Sequence, residues 1–331
     1  MRAITYSKLG AAKDVLKPQD LPDLAPQPGE VRVALTYSGV NPSDVKSRAG
    51  TRPGVTNRPA FEAVIPHSDG AGIIEAVGEG VDPARIGQRV WVWNGQWQRA
   101  QGTAASHITL PQDMAVPLPD AVSDQTGAIL GIPGLTAARA VFGGGDITDQ
   151  TILIQGGAGT VGLLAVQLAK WGGAKVIATC SPRDQDRVKA AGADVVLDYR
   201  AEELAAQILA ANEGALIPRI VEVEVGHNVA MDAEVIAPNG QLAVYGSAKN
   251  MEPVVPFFPL LFKAVTIDIL LIYLLPKPER DACITKLHGA LEAGALSCPV
   301  EQIYPFEDCI AANEAVEAGG RVGAILLKCD G

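Results

Sequence analysis

The stretch that most constrains the fold is Thr151-Ile152-Leu153-Ile154-Gln155-Gly156-Gly157-Ala158-Gly159-Thr160-Val161-Gly162. Gly157, Gly159 and Gly162 stand at the spacing G-x-G-x-x-G. Alone that spacing is a weak signal, because glycine-rich turns are common. Here an apolar strand precedes it, a helical pattern ending at Lys170-Trp171 follows, and Lys175-Val176-Ile177-Ala178-Thr179 supplies a second strand. A strand–helix–strand unit of this kind implies a parallel sheet and a dinucleotide site. Gly157 is expected to allow the tight turn, Gly159 to let the backbone approach a pyrophosphate, and Gly162 to let helix and strand pack closely. Ala158, Thr160 and Val161 complete a loop whose free N–H groups and positive helix end would face the phosphates. The plain alternative is a strand-to-helix turn that holds no ligand.

The end of the second strand discriminates between cofactors. An Asp or Glu there binds the ribose 2′-hydroxyl of NAD. This chain has Cys180 and Ser181 instead, followed by Arg183 and Arg187. A hydroxyl and guanidinium groups suit a 2′-phosphate, so NADPH is the expected cofactor. Asp184 and Asp186 dilute that positive charge, and both arginines would also be at home on a solvated helix.

The rest of the chain fits around this unit. With 331 residues, the chain exceeds one ordinary core. Before about residue 120 it reads as short strands separated by Gly and Pro clusters. From 151 onward strands expected at 151–155, 175–179, 194–197, 219–225, 241–245 and 265–272 alternate with helices at 160–171, 184–191 and 201–211, the rhythm of a doubly wound sheet. Past Pro276 a helix at about 279–293 and a last strand, Ala324-Ile325-Leu326-Leu327, remain. These shifts suggest a β-rich domain over 1–122, completed by 276–331, and a nucleotide domain over 123–275.

Composition excludes some classes. Hydrophobic residues at 48% and charged residues at 19% describe a folded protein rather than a disordered one. A net charge of −10 speaks against a nucleic-acid surface. The N-terminus has no apolar core of a signal peptide. The most apolar stretch, 257–275, contains Pro259, Lys263 and Asp268 and reads as a buried strand with its flanks rather than a membrane span. A cytoplasmic location is therefore expected. Five cysteines, Cys180, Cys283, Cys298, Cys309 and Cys329, form no close pair, so neither a disulfide framework nor a zinc knuckle is suggested.

Several segments together resemble the medium-chain dehydrogenase/reductase superfamily, in its zinc-independent quinone oxidoreductase branch. They are Ser38-Gly39-Val40-Asn41-Pro42-Ser43-Asp44, Pro66-His67-Ser68-Asp69-Gly70-Ala71-Gly72, Gly131-Ile132-Pro133-Gly134-Leu135-Thr136-Ala137, the glycine loop, and Ala191-Gly192-Ala193-Asp194. The resemblance runs from about residue 1 to 328. It implies an α/β protein made of a GroES-like β-rich catalytic domain and a Rossmann doubly wound parallel-sheet domain. It also implies a homodimer that pairs through the edge strand near 265–272.

The resemblance carries residues over one at a time. Zinc-dependent relatives place a cysteine where this chain has Asn41 and a His-Glu pair where it has Ser68-Asp69. They also carry a four-cysteine lobe, whereas no cysteine here precedes Cys180, so no metal site is expected. Asn41 resembles the residue near nicotinamide and substrate, and Asp44 lies on the same loop; these are the candidate catalytic residues. Thr136 resembles a threonine at the nicotinamide end, Tyr199 a tyrosine beside the 2′-phosphate, Gly246 and Ser247 a turn beside the cofactor, and Leu270 and Leu271 the strand end lining the nicotinamide. Trp91, Trp93 and Trp97 would either stack on a planar substrate or form a core cluster.

The implied activity is hydride transfer from NADPH to a quinone or similar conjugated carbonyl. An enoyl or enone reductase and an NADPH-binding structural or RNA-binding protein are the alternatives. A small-molecule acceptor is the expected partner, with neither nucleic acid nor membrane.

Overall fold

A computed structural model describes residues 1–52 and 58–330. The chain forms two compact units, Met1–Ile132 with Cys298–Gly331, and Pro133–Ser297.

The first unit is β-rich. Strands β1 (Arg2–Thr5) and β2 (Lys17–Asp20) pair antiparallel. β3 (Glu30–Val40) runs antiparallel to β4 (Asp69–Val77), which continues to β5 (Arg89–Val92). β6 (His107–Pro111) pairs with β3, and β7 (Ala115–Pro117) with β5. Val31, Val33 and Leu35 alternate along β3 and are fully buried, the period-two pattern of a strand with one face in a core. Trp91 and Trp93 on and beside β5 are buried too, which makes them core residues rather than a stacking platform.

The second unit is a six-stranded parallel sheet. Its strands are β8 (Thr151–Ile154), β9 (Lys175–Cys180), β10 (Val195–Asp198), β11 (Ile217–Glu222), β12 (Ile236–Val244) and β13 (Thr266–Ile269), in the order β10-β9-β8-β11-β12-β13. Ile152, Leu153 and Ile154 are all buried, because helices cover both faces of a parallel sheet. The strand order reverses between β8 and β11. Ligands of such sheets bind beyond the carboxyl ends at that reversal.

The chain then returns to the first unit. β14 (Val300–Tyr304) lies parallel to β15 (Ala324–Lys328), which pairs antiparallel with β3.

Packing places the divisions at other residues than the sequence rhythm did. The helix Asp124–Ile129 buries Ala128 and Ile129 against β3 and β4, so the first unit extends past 122. The helix Lys277–Glu292 buries Leu287 and Ala290 and packs on the helix Leu135–Phe142, so the second unit extends past 275. The apolar stretch 257–275 is also corrected. β13 is an edge strand, and Phe262 and Ile269 are 84% and 79% exposed. Among the described residues no helix is long and apolar enough to cross a membrane.

Candidate cofactor and active site

The glycine loop starts where β8 ends. Gly156, with φ of 67°, takes the left-handed conformation, so it is Gly156 and not Gly157 that makes the tight turn. The amide of Gly156 donates to Thr179 Oγ1 (3.2 Å) and that of Gly157 to the Thr179 carbonyl (2.8 Å), which ties the loop to β9. At Gly162 a Cβ would stand 2.2 Å from the Gly156 carbonyl oxygen, so this residue must lack a side chain for the helix Thr160–Trp171 to start against the loop. Leu163 N–H to the Gly159 carbonyl (2.8 Å) is the first bond of that helix, and the N–H groups before it have no helical acceptor.

A groove of about 600 Å³ opens beside this loop, lined by Gly156, Ala158, Gly159, Cys180, Ser181, Arg183, Tyr199 and Arg200 among others. Loop backbone therefore faces one part of the groove and cationic side chains another. Arg183 Nε lies 3.4 Å and Arg187 3.0 Å from the Asp184 carboxylate, which also accepts the Ser181 hydroxyl (2.7 Å). Partial burial opposes the Asp184 charge, but hydrogen bonds from Ser181, Arg187 and Arg183 outweigh it and hold the carboxyl below its usual range. Asp184 thus organises this end of the groove as well as diluting its charge. Tyr199 is 43% exposed, with the Arg200 guanidinium over its ring at 5.1 Å. The residues fit a dinucleotide: an amide-lined helix start and a groove of about 600 Å³ with Arg183 and Arg200 along it.

A second pocket, of about 290 Å³, gathers Thr136, Leu270 and Leu271 beside Arg139, Asp268 and Glu279. Arg139 pairs with Asp268 (3.1 Å) and Glu279 (3.0 Å). Gly246 and Ser247 line neither pocket. Ser247 Oγ accepts the Gly226 amide (3.0 Å), which fastens the turn after β12 to the helix Val225–Val235. Gly157, Thr160, Val161 and Gly162 likewise shape the loop rather than line the groove.

A buried acid pair supports the loop from below, and the sequence reading did not anticipate it. Thr179 Oγ1 donates to Gln155 Oε1 (2.6 Å), and Gln155 Nε2 to Asp232 Oδ1 (3.2 Å). Asp232 adjoins Glu222 at the end of β11, which accepts Asn228 Nδ2 (3.1 Å). Burial first, and the neighbouring carboxylate second, push Asp232 well above the carboxylate range; burial raises Glu222 as well. Both shifts favour the protonated form of the two carboxyls. Its only signal in the sequence was Glu222 inside an apolar strand.

In the first unit, Asn41 precedes the helix Pro42–Ala49. Its backbone amide donates to Asp44 Oδ2 (2.9 Å) and its side-chain Nδ2 to Asp69 Oδ2 (2.8 Å). The Ile132 amide donates to both Asp69 oxygens (2.9 Å). Burial lifts Asp44 to about 7, against hydrogen bonds from Asn41 and Ser68. Burial, then the charge of Asp44, lifts Asp69 well above its usual value. In the sequence Asp69 stands out only as part of a displaced metal motif; in the structure it holds Asn41. His67 is buried, and burial first of all lowers it to about 3, so the ring is neutral. Its Nε2 accepts from Asn313 (3.2 Å), leaving Nδ1–H to donate to Ser38 Oγ (3.0 Å).

Two family descriptions match the chain: "Alcohol dehydrogenase GroES-like domain" over residues 27–120 and "Zinc-binding dehydrogenase" over residues 160–283. The quinone oxidoreductases of Rattus norvegicus and Homo sapiens are each 27% identical over 330 residues, covering 99% of this chain and 97% of the relative. A solved quinone oxidoreductase of Pseudomonas syringae pv. tomato DC3000 is 29% identical, with a TM-score of 0.84 over 99% of both chains. Escherichia coli quinone oxidoreductase, solved in complex with NADPH, is 26% identical, with a TM-score of 0.83 over 99% of this chain and all of that one. Asn41 and Asp69, at positions of a catalytic zinc in zinc-dependent relatives, and the adjacent His67 do not fit that metal. Asn41 directs its amide nitrogen at Asp69, Asp69 is engaged by two donors, and both ring nitrogens of His67 are taken.

Proposed function

Because the chain belongs to the medium-chain dehydrogenase/reductase superfamily, in its zinc-independent quinone oxidoreductase branch, we propose that it is an NADPH-dependent reductase of quinones or similar conjugated carbonyl compounds. The observation that carries the reading is the groove in which the glycine loop, Arg183, Tyr199 and Arg200 come together, while β9 ends in Cys180, Ser181 follows, and the acid lining that end, Asp184, is engaged by Ser181, Arg183 and Arg187. Bound NADPH supplies hydride to the electron-poor carbon of the acceptor.

The protein's own part is to bind, orient and polarise. The loop amides and the start of the helix Thr160–Trp171 hold the diphosphate. Ser181, Arg183 and Tyr199 hold the phosphorylated ribose, and Thr136, Leu270 and Leu271 give the nicotinamide end a largely apolar wall. Asn41 gives one amide hydrogen to Asp69; the second would donate to the acceptor oxygen as negative charge grows there. Asp69 positions Asn41, and Asp44 holds the backbone of the same turn. With no Lewis acid in this reading, a conjugated acceptor is favoured over a simple ketone. The proton that completes reduction comes from water.

Initial rates with NADPH and NADH, followed by an acceptor panel of quinones and enones, test this. NADPH is expected to be preferred at least tenfold in kcat/KM, with quinones turned over fastest. Equal use of the two cofactors would sink the cofactor assignment, and a strong preference for enones would move the chain to the enone reductases.

The exposed edge supports a homodimer. β13 ends the sheet, and Phe257, Phe258, Phe262 and Ile269 lie exposed on or near it. Light scattering after size exclusion is expected to give the mass of two chains, and Phe262→Glu combined with Ile269→Lys the mass of one. A monomeric parent protein would refute the pairing.

A further inference from the structure

We propose that Lys249 is a specificity-determining residue for the cofactor's 2′-phosphate, carried to it on a strap anchored by Glu224. The inference rests on the NADPH reading above and adds residues that the sequence motifs did not mark.

Tyr199 follows β10 and Lys249 follows β12, and three strands, β9, β8 and β11, lie between those two in the sheet. Even so, the Lys249 ammonium stands 5.8 Å from the centre of the Tyr199 ring. The segment after β12 therefore crosses the carboxyl edge of the sheet, where the glycine loop and the groove lie. Its path is held by Glu224. One carboxylate oxygen accepts the Ala248 amide and the other the Lys249 amide, each at 2.9 Å. Two parallel N–H···O⁻ bonds fix the direction in which the chain leaves that turn. Ser247 adds a third tether through the Gly226 amide.

The Tyr199 ring thus has two cations over it, Arg200 at 5.1 Å and Lys249 at 5.8 Å, and lines the groove with Arg183. An exposed cation–ring contact is weak. A phosphate dianion at the Tyr199 edge would draw Lys249 away from the ring into a charge-assisted hydrogen bond, which is the stronger interaction. Lys249 is a flexible point charge and can make that exchange without moving the strap. Arg183 is drawn partly to Asp184, so a further cation that has no salt-bridge partner among the described residues would add to the recognition of the phosphate.

The test is steady-state kinetics with NADPH and NADH on the intact protein. Lys249→Ala is expected to raise KM for NADPH and lower the NADPH:NADH ratio of kcat/KM at least tenfold, with kcat for NADPH changed less than KM. Lys249→Arg restores most of the ratio, and Lys249→Glu lowers it further. Glu224→Gln, which replaces one of the two accepting oxygens with an NH2 donor facing a backbone amide, lowers the ratio by an intermediate factor. An unchanged ratio in Lys249→Ala overturns the inference. So does an equal loss with both cofactors, which would place Lys249 on the diphosphate instead. A parent protein with no preference for NADPH would fail the underlying reading, and Arg183→Ala in the same assay tells that failure from one confined to Lys249.

Discussion

Gly162→Val is expected to abolish NADPH binding, with affinity falling by at least about 100-fold, or roughly 2.7 kcal/mol. A Cβ at this position would lie 2.2 Å from the Gly156 carbonyl oxygen, 2.9 Å from its carbon and 3.0 Å from Gly157 Cα. All three are backbone atoms, so no side chain can swing aside. Either the start of the helix Thr160–Trp171 or the loop before it must move, and the amides that would meet the diphosphate move with it. Overpacking of this kind also destabilises by about 1–3 kcal/mol. Gly159→Ala separates the two effects. The nearest atom to its Cβ is the Gly156 oxygen at 3.5 Å, an ordinary contact, and Gly159 lines the groove. That variant should melt like the parent protein and still bind NADPH more weakly. Titration of cofactor fluorescence together with thermal melts checks both. Parental affinity in Gly162→Val would contradict the placement of the diphosphate at this loop.

Thermal stability is expected to fall as pH rises from 5 toward 8. Asp44, Asp69, Glu222 and Asp232 are buried, and each has its carboxyl pKa raised, with burial as the largest cause. A raised carboxyl binds more protons in the folded than in the unfolded chain. Its contribution is fully present below the unfolded value near 4 and is lost as pH climbs through the folded value. For Asp44 that window closes at about 7. Between pH 5 and 7 it alone costs on the order of 2–3 kcal/mol, or roughly 4–10 °C in Tm for a unit of this size. Asp69 and the Glu222–Asp232 pair are raised in the same direction and add to the decline. Asp44→Asn keeps an acceptor for the Asn41 amide and should flatten the lower part of the curve. A melting temperature that is level between pH 5 and 7, or an unchanged slope in Asp44→Asn, would show that Asp44 is ionised throughout.

These two expectations come from different depths of information. The glycine spacing, the strand before it and the non-acidic end of β9 were legible in sequence because they are local. A turn that needs a left-handed residue and a helix start that needs bare backbone leave glycines at fixed offsets. Even so, the residue in the left-handed conformation is Gly156, one position before the motif's first glycine, because the turn begins where β8 stops pairing. Thr136, Leu270 and Leu271, far apart in the chain, share one pocket, whereas Gly246 and Ser247 belong to a turn outside both pockets.

The two-part architecture, the parallel sheet, the glycine loop and the lack of a cysteine and histidine set for zinc are legible from the residues alone, because each follows from periodicity, local backbone demand or residue chemistry. It took the folded chain to bring Asn41 to Asp69, Glu222 to Asp232 beneath the loop, and Lys249 to Tyr199. Those contacts join residues 28, 10 and 50 positions apart, and charges meet across such separations only where the strand order brings them. The same holds for Trp91 and Trp93, whose burial depends on what packs over them and not on their spacing.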